Sequence, residues 1–301
     1  MIKNRYKNII CFGEVLWDML PSGAKPGGAP LNVAIHLKKL GKDPLLVSKI
    51  GNDEEGEKLI RFLTDAGIDT GYIQTDDALP TSKVLIHLDD NKNATYEICE
   101  PVAWDNITFN DETENKVQGA DLIIYGSLAS RNNTSRETLL HLLKASEATR
   151  LTDINLRPPF DNREWIEELL RISDFAKLND DELVKIAGWN NRSGRTEELI
   201  PWFSDYFNCP TLCITRGKHG AVLYMDHQMY SHPGFKVDAV DTVGAGDSFL
   251  AALIARLADG STPEEALEFA CATGSFVASQ KGAVPDYSEQ EILNLINTNK
   301  R

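Results

Sequence analysis

Short apolar runs rich in Val, Ile and Leu, each bounded by turn residues, alternate with stretches of helical periodicity along almost the whole chain. The runs are Asn8–Gly13, Pro44–Ile50, Asp121–Gly126, Leu151–Leu156, Asp174–Leu178 and Thr211–Thr215. Strands apolar on both faces belong in a parallel sheet with helices on each side, because only there are both faces buried. The helices expected between them cover Pro30–Leu40, Asp53–Ala66, Ser135–Thr149, Asn162–Ile172, Asp180–Ala187, Thr196–Phe207, Gly246–Leu257, Pro263–Ser279 and Ser288–Asn297. The expected class is α/β, a central mostly parallel sheet with helices on both faces. With 301 residues and no repeat, linker or low-complexity break, the chain reads as one domain over 1–301.

Two segments depart from this rhythm. Ser82–Asp89 and Ala94–Glu100 are extended runs joined by the turn-rich Asp90-Asn91-Lys92-Asn93, which reads as an antiparallel hairpin. It fits either a lid or an edge hairpin of the main sheet, and pattern does not choose between them. Ala221–Met225 with Met229–His232 forms a second hairpin, expected to extend the sheet edge.

Acidic residues outnumber basic ones 45 to 31, a net charge of −14, and Lys and Arg nowhere cluster. Such a chain lacks the footprint needed to track nucleic acid or an anionic membrane, although a local pocket for one small phosphate is allowed. The apolar run that begins at Ile9 stops at Glu14, too short for a signal-peptide core. Cys11, Cys99, Cys209, Cys213 and Cys271 are odd in number and scattered, which fits a reducing cytoplasm. Cys209 and Cys213 have no second pair or His-rich partner and read as buried thiols rather than zinc ligands.

The strongest chemical signal is Asp241-Thr242-Val243-Gly244-Ala245-Gly246-Asp247-Ser248-Phe249, just before an apolar helix. Small residues at 244–246 let the backbone approach a ligand, and the free N–H groups of the helix start point at an anion. Asp247 in the first turn serves either chemistry or merely the helix dipole. Two rival phosphate motifs fail: there is no Gly-x₄-Gly-Lys-Ser/Thr, and Phe249 stands where a dinucleotide-binding turn needs a third small residue. The second signal, Gly27-Gly28-Ala29-Pro30-Leu31-Asn32-Val33-Ala34, is either a plain turn and helix start or a close-approach surface for a polar ligand, with Asn32 offering donor and acceptor.

In this order, the two segments resemble the two signatures of the PfkB family of carbohydrate kinases, which have the ribokinase-like fold. Intermediate motifs fall in sequence order as well: Asn179-Asp180-Asp181-Glu182 is similar to the family's Asn-x-x-Glu, and Thr215-Arg216-Gly217-Lys218-His219-Gly220 to its nucleotide-side turn. Gly13-Glu14-Val15-Leu16-Trp17-Asp18, Gly-Gly-Ala-Pro and Asp153-Ile154-Asn155-Leu156-Arg157 are particularly like bacterial fructokinases.

The resemblance implies an ATP-dependent sugar kinase, most similar to one that makes fructose 6-phosphate, with a β lid formed by about 14–28 and 82–100. It implies Asp247 as general base and the Gly244, Ala245 and Gly246 N–H groups as an anion hole. Asp18, Gly28, Asn32, Asn155 and Arg157 are implied on the acceptor side. Arg157, at the expected C-terminal end of a strand, reads equally as a fork for phosphate or carboxylate and as a surface residue before Pro158-Pro159. Asn179 and Glu182 are implied in the Mg²⁺ and phosphate network, where the plain alternative for Glu182 is a helix-surface charge; Thr215, Gly217 and Gly220 are implied beside the nucleotide. Asp241, Val243, Val277 and Gly282 match segments that give a monovalent cation, K⁺, its carbonyl ligands. Lys25 and Lys83 join Arg157 as possible partners for an acidic substrate. The same resemblance ranks 2-keto-3-deoxygluconate kinase as the nearest alternative, with a sugar-binding regulator without turnover as a remote one. An apolar lid face would be covered by homodimerisation.

Overall fold

The computed structural model describes residues 6–20, 23–88 and 94–299, so the turn expected at 90–93 lies outside the described residues. In chain order the first half runs β1 (Ile9–Phe12), β2 (Leu16–Leu20), β3 (Gly23–Gly27), α1 (Ala29–Lys39), β4 (Leu45–Gly51), α2 (Glu54–Asp65), β5 (Ile73–Asp76), β6 (Ser82–Leu88) and β7 (Ala94–Ile98). The middle follows with α3 (Asp111–Gln118), β8 (Leu122–Gly126), α4 (Asn133–Lys144), β9 (Thr149–Asp153), α5 (Arg163–Ile172), β10 (Phe175–Asn179) and α6 (Asp180–Trp189). The remainder comprises α7 (Thr196–Phe207), β11 (Thr211–Thr215), β12 (Ala221–Met225), β13 (Gln228–His232), α8 (Ala245–Ala258), α9 (Pro263–Ala278) and α10 (Glu289–Asn299).

A nine-stranded sheet in the order β13-β12-β11-β10-β9-β8-β1-β4-β5 carries the core. All its pairings are parallel except those of β12 with β11 and β13, the edge hairpin expected from the sequence. Successive residues face opposite layers, as strand geometry demands: Ile9 and Cys11 pack with α1, α8 and α9, while Ile10 and Phe12 pack with α3, α4 and α5. Burial on both faces is why these strands lack polar alternation. The fold is thus the ribokinase-like α/β architecture expected.

A second, four-stranded sheet has the order β3-β2-β6-β7, and β2 runs parallel to β6 with Asp18 opposite Val84. The hairpin at 82–100 therefore belongs to a small β lid rather than to the edge of the main sheet. Asp18 lies inside a lid strand.

Several boundaries move. The helix expected over Ser135–Thr149 ends at Lys144, because Thr149 is drawn into the sheet, its N–H bonding the Asp121 carbonyl at 2.9 Å. The strand expected to reach Leu156 stops at Asp153, since Asn155 adopts a left-handed φ of 43° and turns the chain away. Arg157 consequently stands beyond the sheet, and the strand's C-terminal residue is Asp153. The helix expected to start at Gly246 starts at Ala245 with Gly244 as its cap.

Candidate active site

The parallel strands deliver their C-terminal ends to one edge, bringing together Glu14 after β1, Asp153 on β9, Asn179 on β10 and Thr215 on β11. At β1 the strand order reverses, with β4 and β5 on one side and β8 onward on the other. Open α/β sheets bind ligands in the crevice at such a reversal.

Helix α8 opens onto this edge. Its cap, Gly244, has φ 76°, and a Cβ there would run into the Ala283 carbonyl oxygen and Cα, so only glycine fits. The first N–H groups of a helix have no intrahelical acceptor and carry the positive end of its dipole. The Ala245 N–H already donates to the Thr242 carbonyl at 3.2 Å and is therefore less free to meet an anion than its neighbours. Asp247 occupies the third helical position, and its Oδ2 accepts 2.8 Å from the Asn32 amide of α1. Burial, reinforced by the Asp153 carboxylate, pushes the Asp247 carboxyl up to about 6, while Lys177, Asn32 and Arg157 restrain the rise.

Beneath α8 lies an ion pair that sequence reasoning missed. Lys177 Nζ contacts both oxygens of Asp153 at 2.8 and 2.9 Å, with the side chains only 4% and 5% exposed. A Cβ on Gly246 would sit 3.4 Å from that ammonium. Burial opposes the charged form of Lys177, but Asp153 and Asp247 outweigh it and its pKa is raised, so a fixed cation underlies the 244–247 turn. A lysine inside an otherwise apolar strand, two residues before Asn179, was the available signal.

Glu14 was the second omission, legible as the charge that halts the β1 run. It is 4% exposed; Oε1 accepts the Ala29 N–H at 3.2 Å and Oε2 has no partner. Burial pushes this carboxyl up to about 7. The Asn32 carbonyl oxygen is likewise buried and unpartnered, so two buried acceptors near Asp247 have no protein donor.

The other residues expected on the acceptor side divide by what they touch. The pKa of Asp18 is raised by burial and lowered by Arg157, and a Cβ on Gly27 would strike its Oδ2, so Gly27 makes room for that carboxylate. The space at Gly28 is filled by the Glu14 carbonyl rather than left open, which fixes the turn into α1. Arg157 is exposed, yet its charge is felt at Glu14, Asp18 and Asp247. Asn155 supplies the left-handed turn between Asp153 and Arg157. Lys83 is spent on Glu55 at 2.8 Å.

On the opposite side, Asn179 Oδ1 accepts the Glu182 N–H at 2.8 Å while Glu182 Oε2 accepts the Asn179 N–H at 2.9 Å, a reciprocal cap. Glu182 Oε1 also accepts the Leu156 N–H at 2.7 Å. This glutamate is buried, with its pKa raised by desolvation, and is no helix-surface charge. Thr215 ends β11; Gly217 and Gly220 take φ of 51° and 79°, and a Cβ on Gly220 would collide with the His232 carbonyl, so this turn is tight. Asp241 accepts the Val243 and Gly282 N–H groups at 3.0 and 3.1 Å, joining two loops beside Gly244. The Val277 carbonyl instead closes α9, accepting from Gln280 at 2.9 Å. Among the described residues no helix is long and apolar enough to cross a membrane.

A model of the pfkB family of carbohydrate kinases matches residues 13–290. A probable fructokinase of Arabidopsis thaliana is 32% identical, covering 97% of each chain. The solved structure of a sugar kinase from Pyrococcus horikoshii in complex with ATP superposes with a TM-score of 0.82 at 27% identity, covering 96% of this chain and 99% of that one. A fructokinase from Xylella fastidiosa with bound ATP shares the fold at a TM-score of 0.86 and 23% identity, over 98% of this chain and all of the other.

Proposed function

The chain belongs to the pfkB family of carbohydrate kinases, and on that premise we propose that it transfers the terminal phosphoryl group of ATP to the 6-hydroxyl of fructose, with Asp247 as general base. The observation that carries this reading is the position of Asp247: one carboxylate is held by the acceptor-side Asn32 and stands in the first turn of α8, next to the anion-binding amides. Phosphoryl transfer passes through a loose transition state whose charge lies on phosphoryl oxygens, so positioned donors matter more than a strong base. Gly244 and Gly246 supply N–H groups, Lys177 supplies fixed positive charge beneath them, and Asp247 need only orient the hydroxyl and accept its proton late.

The acceptor is held by Glu14, Asp18 and Asn32, whose oxygens suit hydroxyl donors. Mg²⁺, bound with ATP, would neutralise phosphate charge. Asn179 and Glu182 fit its hydration shell, because the buried Glu182 keeps lone pairs beyond those spent on its two backbone bonds. Asp241, Val243 and Gly282, on the two loops that Asp241 joins, would hold K⁺, which would supply fixed positive charge there, with Val277 contributing least because its carbonyl is spent on Gln280. The relatives' fructokinase names and the ATP bound to the Pyrococcus horikoshii kinase support the same substrates.

A coupled ADP-release assay across ketoses, aldoses and sugar acids tests the reading. Fructose should give the highest kcat/KM; binding of sugar without turnover would reduce the protein to a sensor.

A further inference from the structure

Helix α1 touches both halves of the site. Asn32 reaches Asp247, and one turn later His36 is fully buried, with Nε2 2.9 Å from the Ala283 carbonyl oxygen and Nδ1 2.9 Å from the Tyr287 hydroxyl. A carbonyl oxygen only accepts, so Nε2 carries the proton and Nδ1 accepts from Tyr287. Burial, with Lys39 nearby, pulls the imidazole down to about 4 against the Ala283 bond, so the ring is neutral and its tautomer fixed at neutral pH. Lys39, almost one turn further, donates to the Val284 and Pro285 carbonyls at 3.2 and 2.6 Å and extends the same grip.

What His36 grips is the wall behind the anion hole. Ala283 is the backbone against which Gly244 packs so closely that no Cβ fits, and Gly244 caps α8. A shift of Ala283 therefore moves the first turn of α8, its amides and Asp247 together, relative to Asn32 on α1. Catalysis by positioned donors is sensitive to displacements of this kind, since donors must sit at hydrogen-bond distance from where charge develops.

We propose that His36 is a positioning residue for phosphoryl transfer: by holding the Ala283 carbonyl it fixes Gly244 and the first turn of α8, its anion-binding amides and Asp247 together, in register with Asn32 of α1. This rests on the reading of the 244–247 turn as the phosphoryl site. A buried histidine that merely packs would affect stability alone.

The variants are His36→Leu, which removes both bonds, His36→Gln, whose amide can again donate to Ala283, and Tyr287→Phe, which spares the Ala283 bond. The readouts are kcat, fructose KM, melting temperature, and affinity for the β,γ-imido analogue of ATP against ADP by calorimetry. His36→Leu should lose about 10- to 100-fold in kcat, with fructose KM within about threefold, and weaken the analogue more than ADP. His36→Gln should recover most of the loss, and Tyr287→Phe should lose little. Unchanged kcat in a folded His36→Leu protein, or equal weakening of analogue and ADP, overturns the proposal. Should His36→Leu fail to fold, a His36→Gln kcat as low as that of Asp247→Asn would overturn it too. If the wild type phosphorylates no sugar, the acceptor reading fails, while the comparison of analogue with ADP still decides the role of His36.

Discussion

Asn32 and Asp247, 215 positions apart in the chain, are joined by a 2.8 Å hydrogen bond from the Asn32 amide to the carboxylate. The bond ties α1 to the first turn of α8, and it favours the charged form of the Asp247 carboxylate that burial otherwise disfavours.

With its carboxyl at about 6, Asp247 is ionised at neutral pH and protonates as pH falls through 6, so if it is the proposed base, kcat/KM should drop on an acid limb near that value. Removing the Asn32 donor removes a group that lowers the pKa, so Asn32→Leu should move the limb to higher pH. Asp247→Asn should fold normally and lose ~10²–10⁴-fold in turnover. Profiles of kcat/KM against pH check all of this; a limb that stays put in Asn32→Leu would detach the pair from the chemistry.

Much of the architecture was written in the sequence because both-face burial leaves a simple mark, a run of Val, Ile and Leu. β5 escaped since Ile-Gln-Thr-Asp is an edge strand with little apolar surface, and α3 escaped since only Thr113 and Val117 of its eight residues are buried. The site was legible where backbone demands small residues, as at Gly244. Lys177 stood out as a lysine inside an apolar run, but its pairing with Asp153 could not be read because it depends on two strands becoming neighbours. Nor did any local pattern reveal His36, which acts through a loop 247 residues away.

The buried Glu14 carboxyl makes stability pH-dependent in a direction opposite to that of an ordinary salt-bridged acid. Its folded pKa of about 7 lies above the unfolded value of 4.5, so its contribution is full below pH 4.5 and is lost as pH rises through 7. Glu14→Gln should therefore stabilise the protein at pH 8 by on the order of 2–3 kcal/mol, and the gain should vanish near pH 4. The same change should raise the fructose KM, trading binding for stability. Thermal melts at the two pH values suffice; a variant no more stable at pH 8 refutes the linkage.

Lys177 and Asp153 should behave as a coupled unit. Lys177→Met leaves a buried carboxylate unpaired and should destabilise by about 3–5 kcal/mol, whereas Lys177→Met with Asp153→Asn should recover most of that loss. Turnover should stay low in both, because the ammonium beneath Gly246 is gone. Recovery of turnover together with stability would show that the pair serves the fold only.

Gly27 should prove as important to the acceptor as Asp18 itself. A Cβ at position 27 strikes the Asp18 carboxylate, so Gly27→Ala should displace it, and Asp18→Ala should remove it. Both should raise the fructose KM at least about tenfold and leave the ATP KM near normal, since the lost bonds are to the acceptor only. Parallel rises in both constants would point to a disturbed lid.

Fructose should surpass 2-keto-3-deoxygluconate in kcat/KM. The keto acid brings a carboxylate to a crevice that already holds Glu14, Asp18 and Asp247, and an unpaired charge in such a place costs several kcal/mol. Lys83 is engaged with Glu55 and Lys177 with Asp153, so neither is available to it. Lys25 stands opposite Asp18 in the β2–β3 register, and Arg157 is the cation whose charge is felt at Glu14, Asp18 and Asp247 together, shared among all three. Fructose carries no charge, and its hydroxyls match the unpartnered oxygens of Glu14 and Asn32. A preference of at least about tenfold for fructose at saturating ATP is expected, equivalent to ~1.4 kcal/mol. Should the keto acid win, Arg157 would be its carboxylate partner, and Arg157→Gln would then abolish the preference by raising the KM for the acid alone.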